Sequence, residues 1–126
     1  MANKGYDVWV GNSRGNGYSS PLINMYLKKR KTFWDFSFDE MAEYDLPAAF
    51  SYINNITKKK IHYIGHSQGT MVMFAALSVK NPIVTSLIAS YSALGPVAYL
   101  EYEESRLLGT LAHSAAISLL RKMHVQ

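Results

Sequence analysis

The 126-residue chain contains no cysteine, which excludes a disulfide scaffold, a thiolate zinc site and a Cys nucleophile. Charge is sparse: 17% of residues are charged against 48% hydrophobic, the reverse of the balance that keeps a chain disordered. Four prolines and eight glycines are too few for a collagen-like or linker-like chain. Aspartate is confined to Asp7, Asp35, Asp39 and Asp45, so none follows residue 45. There is no repeat and no low-complexity tract. The most apolar window, residues 83–100, is interrupted by Thr85, Ser86, Ser90, Ser92, Gly95 and Pro96, and reads as a buried strand followed by a turn, not as a membrane span. No signal peptide is visible, since the N-terminus lacks an apolar run with a small-residue cleavage site. The length admits one domain or part of one.

What is present begins with a formal charge of +4. Lys28, Lys29, Arg30 and Lys31 form one basic run and Lys58, Lys59 and Lys60 another, and these account for the whole excess. Neither has the spaced aromatic and Gly pattern of a single-strand reader or the helix and zinc signatures of a duplex reader, so they read as solvated loops. No nucleic-acid partner, metal or cofactor is expected. The second run also suits a helix C-terminus, where cations oppose the negative end of the dipole.

Strand-like and helix-like segments alternate. Asp7-Val8-Trp9-Val10 is β-prone and meets a loop rich in Gly and Asn at residues 11–17. Residues 18–34 lack periodicity and read as a surface excursion. Ser37-Phe38-Asp39-Glu40 has the form of a capping box, with Phe36 and Met41 placed for a hydrophobic staple. Ala42, Leu46, Ala49, Phe50, Ile53 and Ile56 then make a helical stripe, which Pro47 is expected to kink or restart with Asp45 as a local cap. A strand at 61–64, a buried helix at 68–79 ending before Asn81-Pro82, and a third strand from Ile88 to Leu94 follow. Leu107, Leu108, Leu111, Ala112, Ala115, Leu119 and Leu120 suggest a last amphipathic helix. Its basic ends, Arg106, Arg121 and Lys122, make it a candidate for contact with a lipid interface. The alternation predicts an α/β fold with a parallel sheet.

The chemistry-bearing motif is Gly65-His66-Ser67-Gln68-Gly69, a G-x-S-x-G pentapeptide with a strand before it and a buried helix after it. That context predicts a nucleophile elbow: Gly65 and Gly69 crowd neighbouring backbone, and the turn lifts the Ser67 hydroxyl clear of the sheet. The alternative is a Ser67 that only caps the helix. The backbone N–H of Gln68, first in the helix, is the candidate oxyanion donor. His66 reads as a residue that shapes the elbow, because adjacent side chains on such a turn point apart, and His62 as a packed or surface histidine of the strand.

Three blocks carry a resemblance. Residues 5–16 (Gly-Tyr-Asp-Val-Trp-Val-Gly-Asn-Ser-Arg-Gly-Asn), 33–48 (from Phe33-Trp34-Asp35-Phe36 to Asp45-Leu46-Pro47-Ala48) and 62–70 (from His62-Tyr63-Ile64 to Gly69-Thr70) are similar to the acid lipase family of gastric and lysosomal-type lipases. Arg14-Gly15-Asn16-Gly17-Tyr18-Ser19 also resembles the wider α/β-hydrolase loop R-G-x-G-x-S. The resemblance implies a partial α/β-hydrolase fold, with residues 1–100 as the central part of the core and 101–126 as the start of a helical cap. It further implies a serine ester hydrolase of acylglycerols or steryl esters, with Ser67 as nucleophile and Gln68 as one oxyanion donor. A secreted or lysosomal location is implied too, and Asn55-Ile56-Thr57 is a glycosylation acceptor in keeping with it.

The rest of the catalytic set does not map onto these residues. The α/β-hydrolase order is Ser, then Asp or Glu, then His. After Ser67 the only acids are Glu101, Glu103 and Glu104, followed by His113 and His124, at the expected cap. The expectation is a slice of a larger domain that carries the nucleophile without its partners and turns over no ester alone. A general carboxylesterase and a catalytically silent lipid-binding module are the rival readings.

Overall fold

The computed structural model describes residues 1–19 and 31–98. The last predicted helix, the proposed cap and the first basic run up to residue 30 lie outside them.

Ser37 starts the first long helical run. Its hydroxyl accepts from the Asp39 N–H at 3.0 Å while the Glu40 carboxylate accepts from the Ser37 N–H at 2.6 Å, closing the capping box. The run comprises α1 (Phe38–Glu40), a π-helical turn (Met41–Asp45) and α2 (Leu46–Thr57). The expected kink at Pro47 is replaced by that turn. Here the Leu46 N–H reaches Met41 O, and the wider helix takes in a residue without a backbone donor just beyond it. Asp45 is helical and makes no side-chain cap, contrary to the expectation, because its carboxylate is held by Arg14. Ala42, Leu46 and Phe50 are buried as the stripe requires, as is Met41 of the staple pair, whereas Ile56 at the end of the helix is exposed. Lys58 terminates α2 in the left-handed conformation, and the second basic run follows in solvent.

β1 (Ile61–His66) runs two residues further than predicted. α3 (Gln68–Ser78) ends one residue short of the prediction, with Val79 as its C-cap. Between α3 and β2 (Ile88–Leu94) lies α4 (Pro82–Leu87), where only a strand was expected. Asn81 accepts from the Ile83 and Val84 N–H groups and Pro82 takes the first turn, so the Asn-Pro that stops α3 also starts α4. β1 and β2 pair in parallel from Ile61↔Ile88 to His66↔Leu94, with a bulge between Ile61 and His62.

Strand alternation puts Ile61, Tyr63 and Gly65 on one face, against Phe50 of α2, Val72, Met73 and Ala76 of α3 and Val84 of α4. His62, Ile64 and His66 point to the other, exposed face. The predicted strand at residues 7–10 is not formed. Its residues are all exposed, and β1 and β2 of the described residues pair only with each other, so these backbone groups join no ladder. Trp9 instead meets the ring of Tyr52 edge-on at 5.9 Å.

Candidate active site

Ser67 occupies the single residue between β1 and α3, exposed, at φ 50 and ψ −114. A side chain with a Cβ enters that region only at a cost of roughly 1–3 kcal/mol, which the surrounding contacts must hold in place. Capping does not explain the residue, because the Ser67 side chain makes no cap hydrogen bond. Its backbone is tied on both sides: the Ser67 N–H donates to Leu94 O at 3.0 Å, and Ser67 O accepts from the Thr70 N–H at 2.9 Å.

The flanking glycines answer to different neighbours. A Cβ on Gly65 would lie 2.8 Å from the carbonyl carbon and oxygen of Gly69 and 2.9 Å from the Tyr63 ring. On Gly69 the nearest atom is the Tyr63 hydroxyl at 3.3 Å, so crowding there comes from a side chain and not from backbone. Tyr63 therefore fills the inside of the elbow, donating to Gly69 O at 3.0 Å, and burial pushes its phenol up from the ordinary value with Tyr91 adding to the shift. Tyr91 donates to Thr70 O at 3.0 Å, and its phenol is raised by burial, with the Thr70 side chain opposing the shift. Thr70 is fully buried.

Gln68 opens α3 and is exposed, and its N–H is among the first-turn donors that helix geometry leaves without an intrahelical acceptor. His66 is exposed beside Gly95 on the outer face, and His62 is a surface histidine whose Nδ1 lies 2.7 Å from the Ser90 hydroxyl. Among the described residues neither ring is hydrogen-bonded to Ser67. Asn55 is exposed in the last turn of α2, and the Thr57 hydroxyl donates to Ile53 O. No cluster of three metal-ligating side chains occurs among the described residues, and no helix among them is long and apolar enough to cross a membrane. A shallow cleft of about 200 Å³ is lined by Trp34, Asp35, Phe36, Ser37 and Glu40, none of which belongs to the elbow.

Chemically, an exposed hydroxyl on a strained strand-to-helix turn, next to a helix N-terminus, suits attack on a carbonyl whose oxygen gains charge. Residues 1–113 match the family model described as alpha/beta hydrolase fold. The chain belongs to that family. Within it, the chain is 50% identical over 108 residues to a gastric triacylglycerol lipase of Rattus norvegicus, covering 85% of this chain and 27% of that one. The human gastric triacylglycerol lipase is 49% identical over 106 residues, 83% of this chain and 26% of that protein. A putative lysosomal acid lipase/cholesteryl ester hydrolase of Crotalus adamanteus is 44% identical over 109 residues, 86% and 27%. The chain thus spans about a quarter of the length of the curated relatives it matches. The parallel β1–α3–α4–β2 unit with Ser67 at the first turn is the part of an alpha/beta hydrolase that the described residues supply.

Three contributors to the elbow were missed from the sequence: Tyr63, Tyr91 and Thr70. The alternation in β1 puts Tyr63 on the same face as Gly65, which was the available signal. Thr70 lies three residues after Ser67 and bonds its carbonyl locally, whereas nothing local links Tyr91 to the turn.

Proposed function

We propose that this chain carries the nucleophile of a serine ester hydrolase of the lipase class, acting on acylglycerols or steryl esters. Ser67 attacks the ester carbonyl, and the Gln68 N–H donates to the oxyanion. Gly65, His66 and Gly69 shape the turn. The observation that carries the reading is the positive φ of Ser67 on an exposed turn, with a side chain that caps nothing. Strain kept at a hydroxyl that makes no hydrogen bond among the described residues is what a nucleophile elbow requires.

In this reading residues 1–100 are the central part of the hydrolase core and 101–126 begin a helical cap, whose basic-ended helix meets the lipid interface. The relatives named as gastric and lysosomal acid lipases support a lipid ester substrate and a secreted or lysosomal location. Asn55 is the glycan acceptor on that route, exposed at the end of α2.

The experiment is a chimera in which residues 2–99 replace the aligned segment of the rat gastric lipase, which supplies the other three quarters of the fold. Hydrolysis of long-chain triacylglycerol or steryl ester that disappears in Ser67→Ala is expected. Cleavage of short-chain esters alone would favour a general carboxylesterase. Fatty-acid binding without turnover would favour a silent lipid-binding module.

A further inference from the structure

Thr70, third residue of α3, is fully buried and uses its hydroxyl twice: it donates to Ser67 O at 2.6 Å and accepts from the Val97 N–H at 2.9 Å. With the Thr70 N–H at 2.9 Å, Ser67 O is held by two donors of one residue. The Thr70 carbonyl is fixed in turn by the Tyr91 hydroxyl. Every polar group of Thr70 is therefore tied to the elbow, its own helix or β2 and the segment that leaves it.

Ser67 O belongs to the peptide plane whose other end is the Gln68 N–H. In a trans peptide the two bonds point to opposite sides of one rigid plane, so an oxygen pinned on the inside aims the N–H outward. The ψ of −114 at Ser67 sets the rotation of that plane, and a single backbone bond would leave it able to rock. A charge-stabilising donor is effective when it is oriented before the reaction, with no reorganisation left to make.

We propose that Thr70 is a positioning residue: its hydroxyl clamps the Ser67–Gln68 peptide so that the Gln68 N–H is aimed at the developing oxyanion. The same hydroxyl couples that aim to the chain after β2 through Val97. Two links then join the elbow to the end of β2, Ser67 N–H to Leu94 O and Val97 N–H to Thr70 Oγ1. The inference rests on the reading of Ser67 and Gln68 above.

The test uses the full 126-residue chain, isotopically labelled, with amide exchange followed residue by residue. Thr70→Val keeps the shape and removes the hydroxyl; Thr70→Ser keeps the hydroxyl. In Thr70→Val the Val97 amide is expected to exchange about five- to tenfold faster, the loss of one net hydrogen bond. The Gln68 amide resonance should also shift, while the Phe50 and Met73 amides keep their protection. Thr70→Ser should restore both signals. Unchanged Val97 and Gln68 signals in Thr70→Val, no rescue by Thr70→Ser, or a loss spread evenly over the core would overturn the proposal. Should Thr70→Val not fold, the unaltered chain decides: a slowly exchanging Thr70 hydroxyl proton is expected, and its absence overturns the clamp. None of these readouts needs an ester, so a failed clamp leaves the nucleophile standing, and a Ser67 that proves unreactive leaves the clamp measured.

Discussion

Arg14 grips Asp45 across 31 residues with three hydrogen bonds: the Arg14 N–H to Oδ2 at 2.9 Å, and Nε and Nη2 to Oδ1 at 2.9 and 2.6 Å. The guanidinium also lies over the rings of Phe36 and Tyr44, 5.8 and 5.6 Å from their centroids. The bond to Asp45 is the main cause that raises the Arg14 pKa above its ordinary value. The pair pins the Gly-rich loop to the π-helical turn, whose geometry brings Asp45 to face it. Asp45→Asn is expected to cost about 1–2 kcal/mol, measured as a lower urea midpoint. Arg14→Lys should lower the midpoint as well, because an ammonium cannot reproduce the fork or stack on two rings.

The glycines of the elbow should differ. Gly65→Ala forces backbone apart, since a Cβ meets Gly69 main chain at 2.8 Å, and is expected to destabilise by about 1–3 kcal/mol. Gly69→Ala meets only the Tyr63 hydroxyl at 3.3 Å, so it should cost less, and the double variant with Tyr63→Phe should cost less than the sum of the two. Thermal unfolding of the set checks the order.

Strain at Ser67 predicts an asymmetry between two substitutions. Ser67→Ala keeps a Cβ at φ 50 and removes a hydroxyl that caps nothing, so stability should be nearly unchanged. Ser67→Gly relieves the strain and should stabilise by about 1 kcal/mol after the extra chain entropy of glycine is subtracted. Equal midpoints for the two variants would remove strain from the description of the elbow.

Glu40 supplies a pH dependence. The Ser37 backbone N–H holds its carboxyl below the usual range, with the Glu40 backbone and the Ser37 hydroxyl adding. A lowered native pKa means that the unfolded chain binds more protons in the window between the two values. The stabilisation is present above the usual carboxylate range and is lost as pH falls through the lowered value. Stability of Glu40→Gln should vary less than that of the parent over this acid window, measured by denaturant midpoints at stepped pH.

Much of this was legible in the residues because the signals were local. The capping box at Ser37, the strand and helix either side of Ser67, and β2 each follow from neighbours in sequence. What failed depended on distant partners. Asp45 looked like a cap until Arg14 took its carboxylate, and residues 7–10 had strand propensity but no strand beside them among the described residues. Asn81-Pro82 is the local exception: the Asn cap and the proline both signal the start of α4, yet the pair was read only as a stop. In the elbow, Gly65 was read correctly as crowded; Thr70 and Tyr63 lie three and four residues from Ser67, and only Tyr91 reaches the turn from a distant element.

The isolated 126-residue chain should hydrolyse no p-nitrophenyl ester in a Ser67-dependent way. No Asp follows residue 45, and among the described residues no histidine is bonded to Ser67. Loss of the general base alone costs on the order of a million-fold in a dissected serine hydrolase. Turnover that vanishes in Ser67→Ala would mean that Glu101, Glu103 or Glu104 with His113 or His124 completes a triad.

The role of Ser67 itself is tested most directly by mapping a fluorophosphonate adduct in the chimera with the gastric lipase. Trypsin releases residues 61–80 as one peptide, which contains Ser67 and Ser78. A phosphonyl adduct on Ser67, absent after Ser67→Ala, is expected to appear in parallel with loss of lipase activity. An active chimera labelled elsewhere, or one whose labelling and turnover survive Ser67→Ala, would show that this serine is not the nucleophile.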